Sequence, residues 1–306
     1  MTQKLVVGSR GSRLALIQAE SVVARLRELH PHLEVSLSKV VTAGDRDRST
    51  QLDRMAGVGV FVKELEEALL AGTIDLAVHS LKDMPTEIPP GLGLLAIMER
   101  LDPRDVLVAR AKLNELAPAS RIGTGSLRRA VQLAQYHPDL QVVSIRGNVD
   151  SRMRKVAAGE LDGVILAAAA LIRLGREKEI TEYLPVERSL PAVGQGALVI
   201  EARLGDEEVA RFVSPLNHLP TWQSTVAERA FLAALGGGCR APIAALGTVK
   251  DNILKLDGMV ADASGKKVLS ATEEGSAVLP EVVGKHLAEK LLQAGASRFI
   301  TDVRSQ

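Results

Sequence analysis

The chain has one cysteine among 306 residues, Cys239. A single thiol forms no internal disulfide, so packing must hold the fold, and such usage matches a reducing compartment. Aromatic residues are also sparse, with one Trp, two Tyr and four Phe. That leaves few ring faces on which nucleobases stack. Neither sign of charge prevails, since 38 Lys and Arg face 37 Asp and Glu. A balanced chain carries no general field for nucleic acid or anionic membrane. Long hydrophobic runs are missing too: the richest stretch, GVILAAAALI, is well short of the ~18 apolar residues of a membrane span. The opening MTQKLVVGSRGSRLAL is interrupted by Gly8, Ser9 and Arg10, which argues against a signal peptide. These absences predict a cytoplasmic protein without nucleic-acid or membrane partners. The six histidines are scattered, and His30 and His32 flank Pro31 with no further ligands nearby, so no metal site is expected. GTGSLR lacks the last glycine of a dinucleotide fingerprint, and no Walker sequence occurs.

What is present is an α/β pattern. KLVVGS reads as a strand and is followed by an amphipathic helix from about Ser12 to His30, with Leu14, Ile17, Val22, Leu26 and Leu29 on one face. LEVSLSKVVT is a second strand, VFVKELEEALLAGT a helix ending at Gly72, and IDLAVHS a further strand. A second set starts near Asp105, running from DVLVAR through GVILAAAAL. This alternation predicts largely parallel sheets. RLDPRD and LPAVGQGAL read as two crossings, so the chain leaves a first lobe and returns to it, as in hinged two-lobe binding folds. From about His218 a helix, hairpin-like strands and a last helix predict a small C-terminal α+β domain. The expected division is 1–99 with 197–216, then 100–196, then 217–306.

Three helix starts carry arginines where a cation is unfavourable. They are Arg10 and Arg13 around Ser12, Arg128 and Arg129 after Ser126, and Arg146 and Arg152 around Asn148. A helix N-terminus bears roughly half a positive charge and free N–H donors, so a cation there costs about 0.3–1 kcal/mol. Each start makes physical sense if an anion is held by N–H groups and guanidinium forks together. Solvation or pairing with nearby acids accounts for any single arginine; the threefold repetition points to a polyanionic ligand. The strand end HSLKDMP presents Ser80, Lys82 and Asp83, either as a surface pair or as a site in which an ionised Asp83 stabilises positive charge or moves a proton. Cys239 reads as a small buried hydrophobe or as a used thiol. Three preceding glycines and Arg240 favour the second.

Together the stretches GSRGSRLALIQA, FVKELEEALL, DLAVHSLKDMP, GTGSLRR, IRGNVDSR, SLPAVGQGAL and GGGCRAPI resemble the porphobilinogen deaminase family, in the family's order and over nearly the whole chain. The resemblance implies an α/β fold of two hinged lobes resembling type II periplasmic binding proteins, plus the small C-terminal domain. It implies a monomeric transferase of heme and other tetrapyrrole biosynthesis. Such an enzyme joins four porphobilinogen molecules head to tail, with loss of ammonia, and releases hydroxymethylbilane. The growing chain would stand on a dipyrromethane cofactor bound to Cys239 through a thioether. Asp83 takes the catalytic position. By position Arg10, Arg128, Arg129, Arg146, Arg152 and Arg173 would hold pyrrole carboxylates. Ser12, Ser80, Lys82, Thr124 and Ser126 would add hydrogen bonds, and Gln18 and Gln195 complete the set.

Four positions depart from the family pattern. Val58 stands where a lysine is common, Arg54 where lysine is frequent, Ala170 where glycine is common, and Gly125 replaces a serine. They bear on affinity or turnover more than on reaction type. Two other readings remain at this point: a non-catalytic two-lobe polyanion-binding module, which needs neither Cys239 nor Asp83, and a deaminase relative that has lost turnover.

Overall fold

The computed structural model describes residues 4–40, 62–236, 242–262 and 264–299. The chain runs β1 (Lys4–Arg10), α1 (Arg13–Leu29), β2 (Glu34–Val40), α2 (Lys63–Leu70), β3 (Leu76–Ser80) and β4 (Leu92–Ile97). It continues through β5 (Asp105–Ala109), β6 (Arg121–Thr124), α3 (Leu127–Tyr136), β7 (Gln141–Ser144), α4 (Val149–Ala157), β8 (Gly163–Ala167), α5 (Ala168–Arg173) and β9 (Glu182–Tyr183). Last come β10 (Leu198–Arg203), α6 (Glu207–Val213), α7 (Leu219–Ala234), β11 (Ile243–Lys250), β12 (Ile253–Ala261), β13 (Val268–Ser276) and α8 (Pro280–Gln293). Two compact units result, residues 1–100 with 197–222 and residues 101–196 with 223–306. Each of the two lobes is built on a five-stranded sheet, and a three-stranded sheet with α8 forms the small C-terminal part.

In the first unit the strand order is β2-β1-β3-β10-β4. β1 pairs in parallel with β2 and β3, as the helical crossovers demand, whereas β10 is antiparallel to both its neighbours. The expectation of largely parallel sheets therefore holds only for the strands joined by helices. β10 returns from the other unit and is free of that constraint. One face of the sheet packs on α1 through Val7, Val22, Leu26, Val78 and Ile200. The other packs on α2 through Leu65, Leu69, Ile74 and Ala77. Alternation along β3 thus sends Val78 one way and Ala77 the other.

The second unit repeats the plan with order β7-β6-β8-β5-β9, again half parallel and half antiparallel. Its C-terminal meander β11-β12-β13 turns between the first two strands at Asp251 and Asn252, both at positive φ (49° and 62°). That is the geometry a two-residue hairpin turn requires, and Asn and Asp tolerate it well. The meander closes its own core with α7 and α8 around Phe231, Leu254, Leu256 and Leu287. Val131 of α3 packs with Ala244, Met259 and Ala261, which seats the meander against the helix whose start carries Arg128 and Arg129.

Candidate active site

In the first unit, β1 ends at Arg10 and Ser12 caps α1, its hydroxyl accepting from the Ala15 N–H at 3.3 Å. Gln18, one turn further and buried, lies beside Ser80 at the end of β3. Its Nε2 donates to Ser80 Oγ at 3.0 Å, and Ser80 Oγ lies 3.3 Å from Gln18 Oε1. Two predicted residues from distant parts of the chain are thus brought together. Beyond Ser80 the backbone makes one tight turn, Leu81–Asp83. Leu81 and Met84 are buried (1% and 3% exposed) and fasten the turn. The Leu81 N–H donates to the Ala197 carbonyl at 3.0 Å and the Met84 N–H to the Leu81 carbonyl at 3.1 Å. Lys82 is half-buried and Asp83 exposed. An acid and a base are therefore displayed on a turn whose other two residues are locked in apolar packing.

In the second unit, Thr124 and Ser126 shape the start of α3. Thr124 Oγ1 accepts from the Ser126 N–H at 3.2 Å, and Ser126 Oγ caps the helix. Arg128 and Arg129 do not project to solvent. Both are buried and hold Asp105, itself fully buried: Arg128 Nη1 donates to Oδ2 at 2.8 Å, and Arg129 Nη2 and Nε donate to Oδ1 at 2.7 and 3.0 Å. Ser189 and Gln195 complete the cluster, donating to Asp105 at 3.1 and 2.9 Å. Burial alone would raise the Asp105 carboxyl, but the two guanidiniums outweigh it and hold it far below the usual carboxylate range. Sequence reasoning missed Asp105, which sits 23 and 24 residues before its partners and opens β5 like any strand residue.

Of the remaining predicted cations of this unit, Arg152 feels the charge of Arg129. Asn148 caps α4, accepting from the Ser151 N–H at 2.8 Å, and Arg152 Nε donates to the Gly147 carbonyl at 2.8 Å. Arg146 is exposed just before that cap. Arg173, at the end of α5, donates to the Gly196 carbonyl at 2.8 Å. Burial pushes Arg173 down to about 10. Arg152 is lowered by burial first and then by the charge of Arg129. Positive charge has been drawn into a poorly solvated region, and an anion placed there relieves it.

The structure also accounts for Gly125. A Cβ added there would meet the Ile145 carbonyl oxygen at 2.6 Å, so the turn between β6 and α3 admits no side chain as it stands. Ala170 is half-buried on α5, three residues before Arg173. Two other residues escaped sequence reasoning. Lys39, exposed at the end of β2, lies over Gly11 beside Arg10. Glu228 of α7 is fully buried and accepts from the Gly194 N–H at 2.7 Å and the Gly247 N–H at 2.8 Å, tying the Gly194–Gly196 segment to the C-terminal sheet. Cys239, Arg240, Val58 and Arg54 lie outside the described residues. Among the described residues no group of His, Cys, Asp and Glu is arranged to hold a metal ion, and no helix is long and apolar enough to cross a membrane.

Comparison with known proteins covers the chain almost end to end. The family "Porphobilinogen deaminase, dipyromethane cofactor binding domain" matches residues 5–211, and "Porphobilinogen deaminase, C-terminal domain" matches 222–293. The porphobilinogen deaminase of Pelobacter propionicus is 47% identical over 98% of this chain and 97% of its own length. That of Geobacter metallireducens is 48% identical over 98% and 95%. The Desulforudis audaxviator protein of the same name is 45% identical over 100% and 99%. Among solved structures, the methionine-binding protein MetQ aligns with a TM-score of 0.44 at 14% identity, over 75% of this chain and 93% of that one.

Proposed function

The chain belongs to the porphobilinogen deaminase family, a transferase family of tetrapyrrole biosynthesis with a dipyrromethane-binding domain, and on that premise we propose how its residues divide the work. The substrate is porphobilinogen, four molecules of which are joined head to tail with loss of ammonia to give hydroxymethylbilane. The observation that carries the assignment of roles is the turn that displays Asp83: its neighbours Leu81 and Met84 are buried, so the carboxylate is held out at a fixed place. There Asp83 accepts hydrogen bonds from pyrrole N–H groups and stabilises the positive charge that develops as ammonia leaves. Lys82, Ser80 and Arg10 flank it.

The residues present fit a group rich in carboxylates. Arg152 and Arg173 are cations lowered by burial, and Thr124 and Ser126 stand at a helix start where N–H groups converge. In this reading Cys239 holds the dipyrromethane through a thioether, and Arg146, Arg152 and Arg173 neutralise its side chains together with those of the growing chain. When bound, the dipyrromethane supplies the pyrrole carbon to which new units are added. Arg128 and Arg129 act through Asp105, which fixes the start of α3, and Gln195 joins that cluster. Ser12 and Gln18 order the α1 start and Ser80.

The finer organisation belongs to the same proposal. The C-terminal region, 217–306, is a third domain, supported by the separate core of its meander and helices. The working protein is a cytoplasmic monomer. Purified chain incubated with porphobilinogen tests the whole reading: hydroxymethylbilane and ammonia should appear in a ratio of one to four. Binding without release of ammonia would make the chain an anion-binding relative instead.

A further inference from the structure

Directly before the Ser80–Asp83 turn, the first unit buries titratable groups that the reading above does not use. His79 of β3 and Glu201 of β10 are 5% and 0% exposed, with His79 Nε2 at 3.0 Å from Glu201 Oε2. The antiparallel register sets Val199 opposite His79 and Ala77 opposite Glu201, so the two side chains are diagonal neighbours on the face beneath α2. Glu66 of α2 reaches the same region. Burial first, and the negative charge of Glu201 second, push its carboxyl up, while His79 opposes them and Glu67 adds a little. Glu66 Oε1 and Glu201 Oε1 are each buried without a hydrogen-bond partner among the described residues.

Two acids and one histidine therefore share an enclosed region. The other charged groups around it are placed as follows. On α2, Lys63 lies 3.8 Å from Glu67, and Glu64 is half-buried. Arg203 of β10 binds Asp75 and Asp206 at 3.2 and 3.1 Å. On β1, Gly8 is level with Ala77, which puts Arg10 two residues on upon the same face, level with His79. Lys39 of β2 lies over Gly11, and β4 contains no titratable residue. A buried carboxylate is expensive unless a partner meets it, and His79 is that partner for Glu201.

We propose that the buried His79–Glu201 pair is a positioning device for the turn bearing Lys82 and Asp83. The pair ties β3 to β10 on one side of Ser80. On the other side, the Leu81 N–H ties the turn to Ala197, which immediately precedes β10, at 3.0 Å. Breaking the pair is therefore expected to lower turnover without a change in substrate affinity.

The proposal rests on Asp83 being the reacting carboxylate, and the test separates the two. Wild type, Glu201→Gln and His79→Asn are compared in kcat, KM and melting temperature. Glu201→Gln should lower kcat about tenfold, with KM changed less than about twofold. His79→Asn should do the same and serves alone if Glu201→Gln does not fold. A wild-type kcat in folded Glu201→Gln or His79→Asn, or a loss confined to KM, would overturn the positioning role. Neither result depends on the effect of Asp83→Asn, which tests the underlying reading by itself.

Discussion

Asp105 and Arg129 meet inside the second unit through a single oxygen: Nη2 and Nε of the arginine donate to Oδ1 at 2.7 and 3.0 Å, with Arg128 on the other oxygen at 2.8 Å. Two helix-start arginines that look like ligand-binding groups are thus already neutralised in part by a carboxylate of the chain. In the reading proposed above, Arg146, Arg152 and Arg173 meet the bound anion.

Replacing Asp105 by Asn leaves two buried guanidiniums without their counter-charge. The expected loss is about 3–5 kcal/mol of unfolding free energy. The acid limb should change as well. Because the native carboxyl of Asp105 is held below its ordinary value, its contribution is present above the ordinary aspartate value and is lost as pH falls through the native one. Asp105→Asn should therefore start less stable and decline less steeply in acid. Urea unfolding at a series of acidic pH values checks this, and parallel curves would contradict it.

Asp83→Asn is expected to leave the fold intact, since Asp83 is exposed and the turn is fastened by Leu81 and Met84. Turnover should fall by about 10²–10⁴-fold. Melting temperature and product formation measured on the same preparation decide the matter. Near-normal turnover would remove Asp83 from the mechanism.

Gly125→Ser restores the family's common residue, yet here it should destabilise. Its Cβ would lie 2.6 Å from the Ile145 carbonyl oxygen, and displacing backbone of that kind costs about 1–3 kcal/mol. Thermal unfolding gives the answer, and an unchanged midpoint would mean that the Ile145 segment yields freely.

Much of this was legible in local sequence. The Ser12 cap, the helix after it, the strand ending at Ser80 and the Asp251–Asn252 turn all follow from residue types a few positions apart. The meeting of Gln18 with Ser80 depends on β1 and β3 being adjacent, which the crossover pattern suggests. Asp105, Glu201 and Glu228 were not legible. Each occupies an unremarkable place in an apolar strand or helix, and its partner lies 19 or more residues away. Nor was the antiparallel β10 visible, because LVIEAR has the same composition in either direction of pairing. The arginines were found by their anomaly at helix starts, but which of them face inward is decided by acids elsewhere in the chain.

Arg173→Leu should affect elongation more than folding. Arg173 is half-buried with a native value near 10, so it is charged at neutral pH and available to a carboxylate. Rapid mixing with porphobilinogen, followed by intact-mass analysis, should show intermediates accumulating before the last addition. A wild-type distribution of intermediates would exclude Arg173 from binding the growing chain.

The most direct measurement is the intact mass of the chain purified from a porphobilinogen-producing host, beside that of Cys239→Ser from the same host. The account predicts an excess of two linked pyrrole units on the first protein and none on the second. A bare mass for both after incubation with porphobilinogen, or the same excess on Cys239→Ser, would contradict it.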